Sequence, residues 1–159
     1  MTDFTRLLEA LAGNDVRFIV VGGVAATVHG SARLTQDLDV VYARADANLA
    51  RLVEALSPLS PYLRGAPPGL PFRWDVLTLR AGLNFTLTTS LGDLDLLGEI
   101  AGGGSYAELA RDAIVVRLDD VEFLCLGLQR LIDVKRAAGR PKDLEAIAEL
   151  EVIRDEMGG

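Results

Sequence analysis

The chain contains one cysteine, Cys125, and one histidine, His29. A single cysteine cannot form an internal disulfide, and the two residues together cannot supply the four ligands of a structural zinc site. Long apolar runs are also missing. The longest, residues 18–28, is far shorter than the roughly 20 residues of a membrane-spanning helix, and the first residues carry charges that a secretion signal lacks. These absences predict a cytoplasmic protein without a membrane span.

The length and the net charge of the chain limit the remaining classes of protein. A chain of 159 residues with 50% apolar composition predicts one globular domain over residues 1–159. Its 16 basic and 23 acidic residues give a net charge of -7, which would repel a polyanion. We expect a phosphate-rich partner such as RNA to contact only the basic segment, residues 130–142, which carries Arg130, Lys135, Arg136, Arg140 and Lys142.

Hydrophobic periodicity switches repeatedly between the helical and the strand repeat, which predicts an α/β protein with a small mixed sheet and two C-terminal helices. The predicted helices cover residues 4–11, 24–29, 46–57, 106–111, 128–138 and 141–157. The predicted strands cover residues 16–21, 37–42, 83–88, 93–97, 114–118 and 121–126. Residues 57–71 are rich in proline and are predicted to form a surface loop that borders or covers a site.

The strand at residues 37–42 carries the first candidate site, Asp37-Leu38-Asp39-Val40. Residues two apart in a strand share a face, so Asp37 and Asp39 should point the same way while Leu38 points into the core. Two adjacent carboxylates repel each other unless a cation lies between them, and oxygen ligands without histidine or thiolate suit Mg²⁺. The alternative interpretation is a solvated face of an edge strand.

A glycine pair, Gly22-Gly23, ends the strand at residues 16–21 and precedes a predicted helix. Backbone N–H groups at such a turn could bind the phosphates of a nucleoside triphosphate. The alternative is a tight turn that needs a positive φ. The spacing does not match the G-x-G-x-x-G pattern of dinucleotide-binding proteins.

A third carboxylate comes from a separate strand, Asp93-Leu94-Asp95-Leu96. Asp95 lies between apolar residues, whereas Asp93 follows a turn glycine and should be solvated, so Asp95 is the candidate ligand. Three carboxylates on two strands could hold two metal ions about 3.5 to 4 Å apart, as in phosphoryl transfer. The alternative is an acid at the end of a hairpin.

Two basic residues complete the candidate site. Lys135 lies on the apolar stripe of the helix at residues 128–138, where an inward-facing lysine needs an anionic partner or a shifted pKa. It could meet a triphosphate or the aspartates, or could instead extend past the edge of the core. Arg33 precedes the acidic strand and is a candidate phosphate contact, although loop arginines are usually solvated.

Several segments together resemble the minimal nucleotidyltransferases of the DNA polymerase β-like superfamily, close to the AbiEii-type toxins of type IV toxin-antitoxin systems. The matching segments are Val21-Gly22-Gly23-Val24-Ala25, His29-Gly30, Arg33-Leu34-Thr35-Gln36-Asp37-Leu38-Asp39-Val40, residues 92–97, and Lys135-Arg136-x-x-Gly139-Arg140-x-Lys142-Asp143-Leu144. The resemblance implies transfer of a nucleoside monophosphate from an NTP to an acceptor hydroxyl. RNA, such as a tRNA 3′ end, is the first candidate acceptor, and a protein hydroxyl or a small molecule comes next. An antitoxin protein is a candidate partner.

The resemblance also implies roles for individual residues. Asp37 and Asp39 would be metal ligands, and Asp95 would be the third acid, which helps to activate the attacking hydroxyl. Gly22 and Gly23 would hold the triphosphate and Lys135 would contact it. Gly23 stands where many members carry serine. The alternative is a non-catalytic member that binds a nucleotide or a partner, for example in a toxin-antitoxin pair.

Overall fold

The computed structural model describes residues 1–158 and shows a mixed α/β protein. The helices are α1 (Phe4–Gly13), α2 (Gly22–Val28), α3 (Asp46–Leu56), α4 (Val76–Ala81), α5 (Tyr106–Leu109), α6 (Leu128–Ala138) and α7 (Pro141–Gly158). The strands are β1 (Phe18–Val21), β2 (Asp37–Tyr42), β3 (Tyr62–Leu63), β4 (Phe85–Thr89), β5 (Gly92–Leu97), β6 (Glu99–Ile100), β7 (Gly104–Ser105), β8 (Ala113–Leu118) and β9 (Val121–Leu126).

Seven strands form one mixed sheet in the order β3-β4-β5-β2-β1-β9-β8. The central strands β1 and β2 are antiparallel to each other, whereas β2 is parallel to β5 and β1 is parallel to β9. The outer pairs, β3 with β4 and β8 with β9, are antiparallel. Strands β6 and β7 form a separate short ribbon. The mixed sheet and the two C-terminal helices confirm the predicted fold class.

The core follows from strand alternation and amphipathic helices. On β2, Leu38 and Val40 are fully buried, and Leu94 of β5 is buried beside them. On α1, Leu7, Leu8 and Leu11 are buried at helical spacing. Full burial of one such side chain stabilises a fold by about 1.5–3 kcal/mol. One continuous apolar cluster joins the sheet to the helices, so the acidic face of β2 is held on a rigid support.

Local signals explain where the helices begin and end. The Asp3 carboxylate accepts a hydrogen bond from the Arg6 backbone N–H and caps α1. Gly139, in the left-handed region with φ 66°, ends α6. His29 ends α2, and its Nε2 lies 2.8 Å from the Leu126 carbonyl oxygen. Within residues 1–158, no helix is long and apolar enough to cross a membrane.

The structure differs from the sequence prediction at several places. Helix α2 begins at Gly22 rather than two residues later, because Gly22 itself makes the turn with φ 65°. The proline-rich segment 57–71 is not loop throughout, since it contains a 3₁₀ turn and the edge strand β3. Helix α4 and the β6–β7 ribbon carry no helical or strand repeat long enough to recognise.

Candidate active site

Two neighbouring strands place four carboxylates on one face of the sheet. The parallel register of β2 and β5 sets Asp37 beside Asp93, and two residues further on it sets Asp39 beside Asp95. Alternate residues of a strand share a face, so all four project from the same side. Leu38, between the two β2 acids, is fully buried on the opposite side. Burial of the apolar residues therefore fixes the direction of the acids.

Three of these carboxylates, those of Asp37, Asp39 and Asp95, form what we call the acid cluster. One oxygen from each residue lies within 4.8 Å of the other two, and all three residues are partly buried. The ligand atoms are carboxylate oxygens, which suit a hard cation such as Mg²⁺ better than zinc. The sequence-predicted metal ligands thus lie together in an arrangement that a divalent cation fits.

Asp39 is the most constrained member of the acid cluster. Its Oδ1 atom is buried and has no hydrogen-bond partner. Burial first, and then the negative charges of Asp95 and Asp37, raise the pKa of Asp39 to about 7, against the opposing charge of Arg64. A buried carboxylate oxygen without a partner destabilises a fold. A bound cation would supply the missing partner.

The glycine turn lies directly against the acid cluster. Val21 pairs with Asp39 across β1 and β2, so the next residue, Gly22, lies beside the Asp39 carboxylate. A side-chain carbon at Gly22 would overlap that carboxylate, and one at Gly23 would lie 2.5 Å from Thr35 Oγ1. The absence of side chains at both positions lets the backbone of the turn approach the acids closely.

An open cleft of about 320 Å³, which we call the polar cleft, extends from the glycine turn and the acid cluster to α7. Basic groups from three parts of the chain line it together with the acids. These groups are Arg33, Lys135, Arg140 and Lys142. The polar cleft therefore combines a site for cations with positive charge suited to an anion.

Lys135 reaches the polar cleft from α6, as the apolar stripe predicted. It is half-buried, and burial lowers the pKa of its ammonium group, while the carboxylates of Asp143 and Asp39 oppose that change. A desolvated ammonium group binds an incoming anion more strongly than an exposed one does. Lys135 is thus a half-buried cation that lines the polar cleft together with Asp39.

Arg33 also lines the polar cleft, but its guanidinium turns toward α7 and lies 3.6 Å from the Glu145 carboxylate. The loop that carries it is tied to the same helix. Ser31 Oγ and the Ala32 backbone N–H both donate to the Glu149 carboxylate, at 2.5 and 3.2 Å. These bonds hold the loop over the cleft.

The three arginines of the basic segment all form ion pairs with acidic residues. Arg130 lies 3.8 Å from Asp112, and Arg136 lies 3.5 Å from Glu151. Arg140 donates from Nε at 2.7 Å and from Nη2 at 3.2 Å to Asp143, which is 2% exposed and for which the sequence predicted no role. Hydrogen bonds from Arg140 lower the pKa of Asp143. The segment is therefore less positive than its composition suggested.

Arg64 is the main site residue that sequence reasoning missed. It follows β3, and its Nη2 donates to Asp95 Oδ1 at 2.8 Å and to the Leu87 carbonyl at 2.7 Å. Nη1 lies 3.7 Å from Asp37 and Nε lies 3.5 Å from Asp93, which is partly buried here rather than solvated. An arginine in a proline-rich segment carries no sequence signal for such a contact.

A second cleft of about 280 Å³, the apolar cleft, meets the polar cleft at Gly22, Asp39, Lys135 and Arg140. Aliphatic side chains of β5, β6 and α6 provide most of its surface. They include Leu97, Ile100, Leu131 and Val134, with Asn84 and Glu99 as polar members. The acid cluster thus lies where a polar cavity and an apolar cavity join.

Comparison with solved structures shows which fold this is. The lincosamide antibiotic adenylyltransferase LnuA, in its lincomycin-bound structure, matches with a TM-score of 0.61 and 13% identity over 96% of this chain and 98% of its own. ANT(2")-Ia in complex with adenylyl-2"-tobramycin matches with a TM-score of 0.57 and 14% identity, over 96% of this chain and 93% of its own. A candidate nucleotidyltransferase from Thermotoga maritima matches with a TM-score of 0.53 and 12% identity, over 98% of this chain and 90% of its own.

Sequence comparisons find no matching family model and no matching curated protein. The structural likeness covers nearly the whole chain, and the neighbours named above are nucleotidyltransferases or a candidate for that class. At such low sequence identity the likeness establishes the fold alone, and the chemistry has to be inferred from the residues of the site. The chain has the nucleotidyltransferase fold.

Proposed function

We propose that this protein is a Mg²⁺-dependent nucleotidyltransferase that transfers NMP from an NTP to an acceptor hydroxyl. The observation that carries the proposal is the acid cluster, in which one oxygen each from Asp37, Asp39 and Asp95 lies within 4.8 Å of the others. It lies beside a glycine turn and a half-buried lysine, on a fold shared with adenylyltransferases. Each of these features is expected where phosphate charge must be neutralised.

Asp37, Asp39 and Asp95 would hold the metal, with two ions as the proposed number. Bound divalent cations neutralise phosphate charge and orient the reacting oxygens. The acceptor oxygen would form a bond to the α-phosphorus while the bond to the bridging oxygen breaks and pyrophosphate leaves. Asp95 would accept the hydroxyl proton. No covalent enzyme intermediate is needed, because positioning and charge stabilisation suffice for this reaction type.

The polar cleft would take the triphosphate. Gly22 and Gly23 allow phosphate oxygens to approach the backbone closely, since no side chain intervenes. Lys135 would contact the phosphates from the opposite wall, and Arg33 would reach them by exchanging its ion pair with Glu145. The apolar cleft, which joins this one at Asp39, is suited to a part of the substrates that carries no phosphate.

Two acceptor classes are proposed, in a defined order. A small hydroxylated molecule comes first, because the LnuA and ANT(2")-Ia structures contain an antibiotic or its adenylylated product, and because the basic segment here is largely paired. An RNA 3′ end, as in a toxin-like protein with an antitoxin partner, comes second. The favouring observation is the unpaired Lys142 at the rim of the polar cleft, within the described residues 1–158.

The test is incubation with each of the four NTPs labelled at the α-phosphate, with Mg²⁺ and with two acceptor pools. One pool holds aminoglycosides and lincosamides, and the other holds total RNA. Labelled acceptor should appear and should fall at least about 100-fold in Asp37→Asn and Asp39→Asn. Asp120→Asn, at an exposed turn, is the matched control. NTP binding without transfer to either pool would instead support the non-catalytic alternative.

A further inference from the structure

Arg64 places a permanent positive charge among the carboxylates that the proposed function assigns to a metal. Its guanidinium contacts three of the four acids on this face. The contact with Asp95 is a hydrogen bond of 2.8 Å, whereas those with Asp37 and Asp93 are longer ion pairs of 3.7 and 3.5 Å. Asp39 is the acid that it does not pair with, and Asp39 Oδ1 has no partner.

Hydrogen bonds to backbone carbonyls fix the position of Arg64, but its guanidinium is not aligned with the carboxylates for two parallel hydrogen bonds. The Arg64 backbone N–H donates to the Thr86 carbonyl at 3.0 Å, and Nη2 donates to the Leu87 carbonyl at 2.7 Å. The side chain is 27% exposed, and its Nε is buried without a hydrogen bond. A guanidinium paired optimally with carboxylates forms two parallel short bonds, which Arg64 does not do here.

We propose that Arg64 is a resident counter-cation that competes with the divalent ion for the acid cluster. The inference rests on the proposed metal site. A metal ion can reach Asp39 and Asp37 first, because Arg64 forms no ion pair with Asp39 and pairs with Asp37 only at 3.7 Å. Coordination by Asp95 would bring the ion next to the guanidinium, whose Nη2 donates to Asp95 Oδ1 at 2.8 Å, so repulsion between the two positive charges would lower the affinity of the cluster for metal.

The opposite role is that Arg64 positions Asp95 for the metal. The two roles predict opposite signs for one substitution. Removal of a competing charge tightens metal binding because repulsion between the guanidinium and the ion is lost. Removal of a positioning group weakens binding because Asp95 loses its fixed orientation. The long, unmatched contacts favour competition.

The experiment measures Mn²⁺ affinity by electron paramagnetic resonance and calorimetry, without nucleotide or acceptor. Arg64→Gln removes the charge and keeps an amide donor, of shorter reach than the guanidinium. We expect it to bind Mn²⁺ at least about fivefold more tightly than the unsubstituted protein. Arg64→Lys keeps the charge and should bind within about twofold of the original. Arg117→Gln, on the exposed side of edge strand β8, is the control for net charge and should change nothing.

Thermal unfolding gives a second readout. Without metal, Arg64→Gln should unfold at a lower temperature, because three carboxylates then lose the cation they pair with, and Mn²⁺ should restore the loss. Equal or weaker Mn²⁺ binding by a folded Arg64→Gln overturns the inference. If that variant folds only with Mn²⁺ present, the competition is supported. Failure of NMP transfer with the predicted change in Mn²⁺ affinity would refute the proposed function alone.

Discussion

At the scale of single residues, Asp39 shows that the site destabilises the fold when no cation is bound. Burial and two neighbouring carboxylates raise its pKa from 3.8 to about 7. Between these two values the unfolded chain has released the proton of Asp39, whereas the folded chain retains it. Stability that depends on Asp39 is therefore present below pH 4 and is lost as the pH rises toward 7. Other interactions in the folded protein must offset this loss of stability.

Replacement of Asp39 by asparagine should stabilise the metal-free protein in a pH-dependent way. At pH 8 the variant should gain roughly 1–3 kcal/mol in the free energy of unfolding, and at pH 4.5 it should gain about a quarter as much. Urea unfolding at the two pH values measures the difference, with Asp120→Asn as a control that should show no such dependence. A loss of stability at pH 8, or a gain equal at both pH values, would contradict the raised pKa.

At the scale of secondary-structure elements, the sequence predicted what each strand carries but not how the strands meet. The alternation in residues 37–42 and 93–97 placed aspartates opposite buried leucines, and both strands form as expected. The parallel register that sets Asp39 beside Asp95 joins residues 56 positions apart in the sequence, and no local pattern encodes it. The same limit hid Arg64, because β3 is two residues long and exists only by pairing with β4.

The turn between β1 and α2 is the element on which the site depends most. Gly22 has φ 65° and lies against the Asp39 carboxylate. Gly22→Ala should therefore lower stability by about 1–3 kcal/mol through backbone strain, and should also weaken Mn²⁺ binding through displacement of Asp39. Chemical unfolding and metal titration measure both effects.

Gly13→Ala provides the matched control, because Gly13 is the last residue of α1 and no atom lies within 4 Å of its added carbon. It should change stability by less than about 0.5 kcal/mol and leave metal binding unchanged. If Gly22→Ala behaves like Gly13→Ala, the turn does not hold the acid cluster in the way described.

At the scale of the whole molecule, one core supports both clefts. Its buried side chains extend without a break from α1 through the sheet to α7. We propose that residues 1–159 form a single domain, and we expect calorimetry to show one cooperative unfolding transition with equal calorimetric and van't Hoff enthalpies. Two separable transitions would indicate that α6 and α7 fold apart from the sheet.

The overall charge also bears on the choice of substrate. A net charge of -7 repels anions at long range, so an NTP would be attracted only near the polar cleft and with its charge partly neutralised by a cation. The whole-molecule field and the acid cluster therefore lead to the same expectation: the nucleotide binds together with divalent metal and poorly without it.

The most direct test is calorimetric binding of an NTP analogue with a methylene group between the α- and β-phosphorus, which cannot release pyrophosphate. We predict measurable binding with Mg²⁺, at least about tenfold weaker binding in EDTA, and loss of the Mg²⁺ effect in Asp37→Asn and Asp39→Asn. Binding of equal strength with and without Mg²⁺, or unaffected by both substitutions, would contradict the claim that these carboxylates form a metal site for nucleotide.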